Sequence, residues 1–173
     1  IHVYLAPSRL DWVRLSRGLK PVQTEKVTVP CESIPEQSNW ASPLQQIEKL
    51  AQHAKKTEMH VTLSNHFVRY IVLPPQAEIS SPEEVQSYAS FKMREIYGSQ
   101  MDTWTLSISD WDPVAGAICA AINRELLAQI EQITARHHIK LVEVEPYLAS
   151  AADLWRKRLV DERVYFALIE AGR

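Results

Sequence analysis

The stretch VTLSNHFVRYIVLPP, Val61 to Pro75, decides how the rest of the chain is read. Two runs of apolar and β-branched residues meet at Ser64-Asn65-His66, with no glycine at the joint and a Pro74-Pro75 stop at the far end. Runs of this composition bounded by polar and proline residues predict two strands. Such a joint suits a chain leaving one sheet and entering another, so the pattern predicts a two-part α/β body hinged at this point.

Upstream, Ile1 to Leu5, Asp11 to Leu15 and Gln23 to Val29 are short strand-forming segments separated by turn residues, which predicts an antiparallel meander. The polar segment Pro30 to Asn39 reads as a loop. Ser42-Pro43-Leu44-Gln45 has the grammar of a helix start, with Ser42 as N-cap and proline in the first helical position. Leu44, Ile47, Leu50, Ala51 and Ala54 then form its apolar face, and Met59 to Leu63 returns as a strand.

Downstream, Ser81-Pro82-Glu83-Glu84 repeats that grammar as a capping box, and Gly98 sits where a C-cap glycine is favoured. The expected inward stripe is Val85, Ala89, Lys92 or Met93, and Ile96. Trp104, Leu106 and Ile108 alternate with polar residues as a half-buried strand, and Gly116 to Ile122 reads as a strand covered on both faces. Asn123 is placed to cap a helix whose Leu127, Ile130, Ile133 or Thr134, and His137 share one side. Lys140 to Val144 is the next strand. Glu145-Pro146 then opens a helix with Leu148, Ala151, Ala152, Trp155 and Leu159 inward, and with Arg156, Lys157 and Arg158 complementing the dipole of its last turn. Val164 to Ile169 reads as a final strand.

With 173 residues, 46% hydrophobic and 23% charged, the chain has the composition of an ordinary globular protein able to bury a core. The net charge of -2, with both signs mixed throughout, leaves no polybasic footprint for nucleic acid or an anionic membrane. No apolar run reaches the roughly 20 residues that span a bilayer, and Ile1 to Leu5 lacks the parts of an export signal. Cys31 and Cys119 lack metal-ligand spacing, and Cys119 lies in an apolar run as a small buried side chain.

Catalytic motifs are missing: the chain has no GxSxG, no HExxH and no cysteine-histidine arrangement. His137 and His138 are adjacent on a helix and diverge by about 100°, which does not suit a shared metal. His60 and His66 flank the strand joint, one expected toward solvent and the other hydrogen-bonded in the turn. Asp110-Trp111-Asp112-Pro113 is turn chemistry. Arg69 shares a strand face with Phe67 and Ile71, as either a structural cation or part of a docking surface. The outward face of the helix from Pro82, with Gln86, Ser90, Lys92, Arg94 and Glu95, is the other candidate partner surface.

Several segments carry a resemblance to a known family: LSNHFVRYIVLPP (Leu63 to Pro75), EEVQSYASFKMREIYG (Glu83 to Gly98), Trp104, ICAAINRELL (Ile118 to Leu127), KLVEVEPYLASAADLWRKRL (Lys140 to Leu159) and FALIEAGR (Phe166 to Arg173). From about Val61 onward the chain resembles PilM-like proteins and the cytoplasmic part of the type II secretion L protein (GspL). The first sixty residues match by order of elements. The resemblance implies an actin-like (ribonuclease H-like) α/β subdomain, residues 1–64 and 139–173, carrying an inserted FtsA/PilM-type subdomain, β-α-β-β-α, over 65–138. Actin-like ATPases need glycine-bearing hairpins to cradle phosphate, and an aspartate in each. Here Leu5-Ala6-Pro7-Ser8-Arg9 has neither, and Glu170-Ala171-Gly172 offers one carboxylate and one of only four glycines.

The resemblance therefore implies the fold without catalysis, and no cofactor or metal is expected. It implies a scaffold on the cytoplasmic side of the inner membrane, serving type IV pilus biogenesis or type II secretion and the protein transport that goes with it. Its partners would be the assembly ATPase and a bitopic inner-membrane protein of the same machine, with nucleic acid excluded. A homodimer through an edge strand at 164–169 is a further expectation. The rivals are a nucleotide-binding actin-like ATPase whose second half is not in this chain, and a filament-forming module.

Overall fold

The computed structural model describes residues 1–16, 18, 20–33, 35–54, 56–155, 158 and 166–170. The chain divides into two units, Ile1–Phe67 with Ala128–Arg173, and Val68–Leu127. The first break falls after Phe67, three residues beyond the end of the expected 1–64 segment. The Ser64 turn stays with unit 1 because the Ser64 amide donates to Leu5 O at 2.8 Å and the Phe67 amide to Ser64 O at 3.0 Å. The second break falls inside a helix rather than at residue 139. Arg124, at that helix's start, donates to the carbonyls of Asp102 and Trp104, both in unit 2.

Unit 1 begins with the expected meander, β1 (His2–Ala6), β2 (Arg9–Leu15) and β3 (Gln23–Pro30). Helix α1 (Ala41–Gln52) leads to β4 (Glu58–Leu63). The five-stranded sheet has the order β3-β2-β1-β4-β8, where β8 is Lys140–Pro146. β3, β2 and β1 run antiparallel, whereas β1, β4 and β8 are parallel. The register Val3↔Val61 and Leu5↔Leu63 aligns fully buried residues of neighbouring strands, and Tyr4↔Thr62 puts half-buried ones on the opposite face. Val3, Leu5, Leu10, Ile47, Met59, Val61, Leu63 and Ile130 are among the buried core residues of this unit.

Helix α1 starts two residues earlier than its grammar predicts. Trp40 is the N-cap without a side-chain bond, and the buried Ser42 hydroxyl is hydrogen-bonded to the Cys31 thiol instead of capping. Helix α3 (Arg124–Arg136) is capped as expected, the Asn123 side chain accepting from the Glu125 amide at 2.8 Å. Leu126 rather than Leu127 is its fully buried leucine. Its last turn meets α1: Glu48 accepts from His137 Nε2 at 2.6 Å and from Arg136 at 3.3 Å. The His137 bond, followed by the charges beside it, holds the Glu48 carboxyl below its ordinary range. His138 takes a positive φ of 56° at the helix end, so both histidines serve the C-terminus.

β8 runs through Pro146, so α4 is Tyr147–Trp155 and neither Glu145 nor Pro146 opens it. Ala151 is buried there, but Trp155 is exposed, with the Arg158 guanidinium 4.9 Å from its ring. Arg156, Lys157 and Leu159 lie outside the described residues. The expected final strand, 164–169, is not found: residues 166–170 form no strand, and Val164 and Tyr165 lie outside the described residues. Side chains there alternate half-buried and exposed, with Ile169 at 90% exposure.

Unit 2 is a three-stranded antiparallel sheet, order β5-β7-β6, with β5 Val68–Leu73, β6 Trp104–Ile108 and β7 Ala117–Asn123. β4 and β5 thus belong to different sheets, as the Val61–Pro75 pattern predicts. One sheet face carries Ile71, Leu73, Ala117, Cys119 and Ala121 against Ala89 and Met93 of α2 (Pro82–Tyr97). On α2 the stripe is Val85, Ala89 and Met93, followed by the half-buried Tyr97; Ile96 is 61% exposed because i, i+4 steps carry it off this line. Ile118 is also exposed, so β7 is not covered on both faces.

The α2 capping box is complete. Ser81 Oγ accepts from the Glu84 amide at 3.2 Å, and the Glu84 carboxylate accepts from the Ser81 amide at 3.1 Å. Replacing Ser81 by alanine is expected to cost about 1 kcal/mol. The check is a lower denaturant midpoint for amide signals of unit 2, with those of unit 1 unchanged.

Candidate functional site

Parallel strands of an open α/β sheet place their carboxyl ends side by side, and ligand sites of such sheets form there. In unit 1 the ends of β1 and β4 border an open cleft of ≈ 880 Å³. Its lining includes Tyr4, Pro7, Ser8, Arg9, Thr62, Ser64, His66, Tyr147 and Glu170. Tyr4 points into it because strand alternation turns Val3 and Leu5 toward the core. The Tyr147 ring meets the Tyr4 ring edge-on at 5.2 Å, and the Arg9 guanidinium lies 5.5 Å from the Tyr4 ring centroid. Arg9 is itself paired with Asp11 at 2.9 Å.

The centre of the cleft is a carboxylate. Glu170 accepts a short hydrogen bond from the Tyr4 hydroxyl and a 3.0 Å bond from the Asn65 backbone amide, and the Ser64 side chain is a further hydrogen-bond partner. Burial raises the Glu170 pKa, but the bonds from Tyr4, Ser64 and Asn65 outweigh it and hold the carboxyl below its ordinary range. Burial, then the bond to Glu170, push the Tyr4 hydroxyl far above the ordinary phenol range, which keeps it a donor. The carboxylate expected to belong to a second phosphate hairpin is therefore clamped by Tyr4 of β1 and by the turn that follows β4.

Ser64 and His66 form a pair resembling nucleophile and base, with Oγ 2.8 Å from Nδ1. Turn chemistry accounts for it: Ser64 Oγ also accepts the His66 amide at 3.2 Å, and Ser64 is wholly buried. His60, by contrast, stacks on His2 at 4.4 Å and bonds Glu143 at 2.7 Å. Asp112 accepts from the amides of Val114 and Ala115, as a turn residue does. Among the described residues no group of three potential ligands is placed to hold a metal.

The expected partner residues are only partly brought together. Gln86, Ser90 and Arg94 line a shallow groove of ≈ 400 Å³ in unit 2 with Asp102, Trp104 and Arg124, and Arg94 is ion-paired with Asp102. Lys92 pairs with Glu95 at 2.9 Å elsewhere on α2. Arg69 lies in β5 opposite Ala121, half-buried, and donates to Val68 O at 3.1 Å. Sequence reasoning missed Tyr4, Ser64 and Asn65 as site residues. The available signal was a polar Ser-Asn-His run placed directly after a buried parallel strand.

The sheet order, with a meander feeding parallel strands and a second sheet inserted after β4, defines an actin-like α/β fold. Solved structures bear this out. The cytoplasmic domain of EpsL, an inner membrane component of the type II secretion system of Vibrio cholerae, is similar over 84% of this chain and 56% of its own, with TM-score 0.61 and 10% identity. The PilM-PilN type IV pilus biogenesis complex matches over 92% of this chain and 51% of that one, with TM-score 0.59 and 19% identity. A Bacteroides thetaiotaomicron protein with an actin-like ATPase fold and unknown function matches at TM-score 0.50 and 6% identity, over 91% of this chain and 55% of its own. The chain thus spans little more than half the length of each. No protein-family model and no curated protein matches the sequence. Among the described residues no helix is long and apolar enough to cross a membrane.

Proposed function

We propose that this protein is a non-catalytic scaffold of a bacterial type IV pilus or type II secretion apparatus, which recruits the assembly ATPase to the inner-membrane platform from the cytoplasmic side. The observation that carries the reading is the content of the cleft. The β1–β2 turn contributes Pro7, which has no amide to give a phosphate; of the two carboxylates in the cleft lining, Glu170 is engaged by Tyr4 and Asn65, and Asp11 is paired with Arg9. The shared fold with the EpsL domain and the PilM-PilN complex supports the class of machine, and the second of these supports a membrane protein of the same apparatus as a partner. On this reading the partner surface includes the α2 groove with Gln86, Ser90 and Arg94, with Lys92 and Glu95 elsewhere on α2 and Arg69 on β5 as further contact residues outside the groove. A relay of ATPase movement would require different affinities for different ATPase conformations.

Calorimetry tests the proposal. Titration with the N-terminal domain of a co-encoded assembly ATPase is expected to give saturable heat, and titration with Mg-ATP none. Saturable ATP binding would overturn it and put the nucleotide-binding rival first.

A further inference from the structure

Four strands lie at sheet edges, β3 and β8 in unit 1 and β5 and β6 in unit 2. An edge strand is a template for further pairing unless charges, proline or a bulge guard it. β3 carries Glu25 and Lys26, β8 carries Lys140 and Glu143, and β5 carries Arg69. β6 has neither charge nor proline, and its register with β7 runs without a bulge. The direction of its main-chain groups follows from the ladder. The Ser109 amide donates to Ile118 O at 2.9 Å, and hydrogen-bonded pairs alternate in an antiparallel ladder, so Thr105 and Ser107 also bond β7. Trp104, Leu106 and Ile108 therefore turn their N–H and C=O groups to the outer edge. Those of Trp104 are taken, by Met101 O and by the Arg124 guanidinium at 3.3 Å. Those of Leu106 and Ile108 have no partner among the described residues.

We propose that β6 pairs antiparallel with β6 of a second copy of this chain, about a two-fold axis at Ser107, joining the two small sheets into one. This register sets Leu106 opposite Ile108 of the other copy, so their outward main-chain groups satisfy one another. Both side chains are half-buried in the single chain, and the cross-strand contact covers more of each. Charge fits as well. The register brings Asp110 of the second copy opposite Trp104, beside Arg124. Asp110 is exposed and has no ion pair among the described residues. Arg94 and Arg124 share Asp102 as the one acidic residue lining the groove next to β6, so the incoming carboxylate balances them. Trp104, Thr105 and Leu106 border that groove, so a second copy and a docked partner would exclude each other there, but the pairing does not require the scaffold reading.

The test is sedimentation of this chain alone across a concentration series, so it succeeds or fails independently of ATPase binding. A closed monomer–dimer equilibrium is expected. Ser107→Lys sets like charges directly opposite each other on the axis. It should raise the dissociation constant about tenfold or more while leaving the unit 2 denaturant midpoint unchanged, because Ser107 is exposed. Asp110→Asn should raise it about fivefold, since the symmetry removes its contact twice. Hydrogen exchange identifies the edge: protection of the Leu106 and Ile108 amides should rise with protein concentration. A monomer at every concentration, a dimer that Ser107→Lys does not weaken, or a dimer in which those two amides stay unprotected would overturn the proposal.

Discussion

Gly116→Ala is expected to destabilise unit 2 by about 3 kcal/mol or more. Two separate costs add. Gly116 has φ +84°, in the region that L side chains rarely adopt, and holding a non-glycine residue in such a conformation costs on the order of 1–3 kcal/mol. A Cβ at this position would also stand 2.1 Å from Leu73 O, a backbone atom that cannot rotate aside. Relief requires β5 and the turn before β7 to move apart, breaking the Asp112–Gly116 bridge or the Leu73↔Ala117 pairing, and displacements of packed backbone cost about 1–3 kcal/mol. Gly98→Ala is the control: Gly98 has φ +63° at the end of α2, but nothing lies within 4 Å of its Cβ position, so only the backbone cost remains. Denaturant midpoints read from unit 2 amide signals separate the two. Equal losses for the two variants would show that the close approach to Leu73 does not matter.

Features written by near neighbours were legible in the sequence, and features written by distant ones were not. The α2 capping box is complete within four residues, Ser81 to Glu84, and forms as read. The same grammar fails at α1 because the Ser42 hydroxyl is taken by Cys31, a partner from the preceding loop that helix-start rules do not see. The change of sheet at Ser64 was visible because β formers on both sides and the proline stop are local. The clamp on Glu170 was not: Tyr4 and Glu170 are 166 residues apart and Asn65 and Glu170 are 105, so only the fold brings them together. Ile96 shows a third limit. Stepping by three from Met93 keeps the apolar pattern but leaves the buried face, which runs Val85, Ala89, Met93 and on to the half-buried Tyr97.

Leu63→Ala is expected to cost unit 1 about 2–5 kcal/mol. Leu63 is wholly buried at the end of β4, between Leu5 of β1 and Pro146 of β8 in the register of the sheet. Its neighbours are backbone-tied on both sides, so they close only partly around the lost methyls and a cavity term adds to the transfer term. The expected loss extends to the cleft, because the next residue is Ser64, whose amide is bonded to Leu5 O and whose turn presents the Asn65 amide to Glu170. A looser β4 end should therefore lower the protection of the Asn65 amide along with the unfolding midpoint of unit 1. Val142→Ala supplies the contrast within the same sheet. Val142 is the extra residue where the β4–β8 register slips between Met59↔Leu141 and His60↔Glu143, and it is 42% exposed, so its truncation should stay within about 0.5 kcal/mol. If Leu63→Ala lowers the midpoint but leaves Asn65 protection in native conditions unchanged, the β4 end and the turn are uncoupled, and the turn draws its rigidity from the Tyr4–Glu170–Asn65 hydrogen bonds instead.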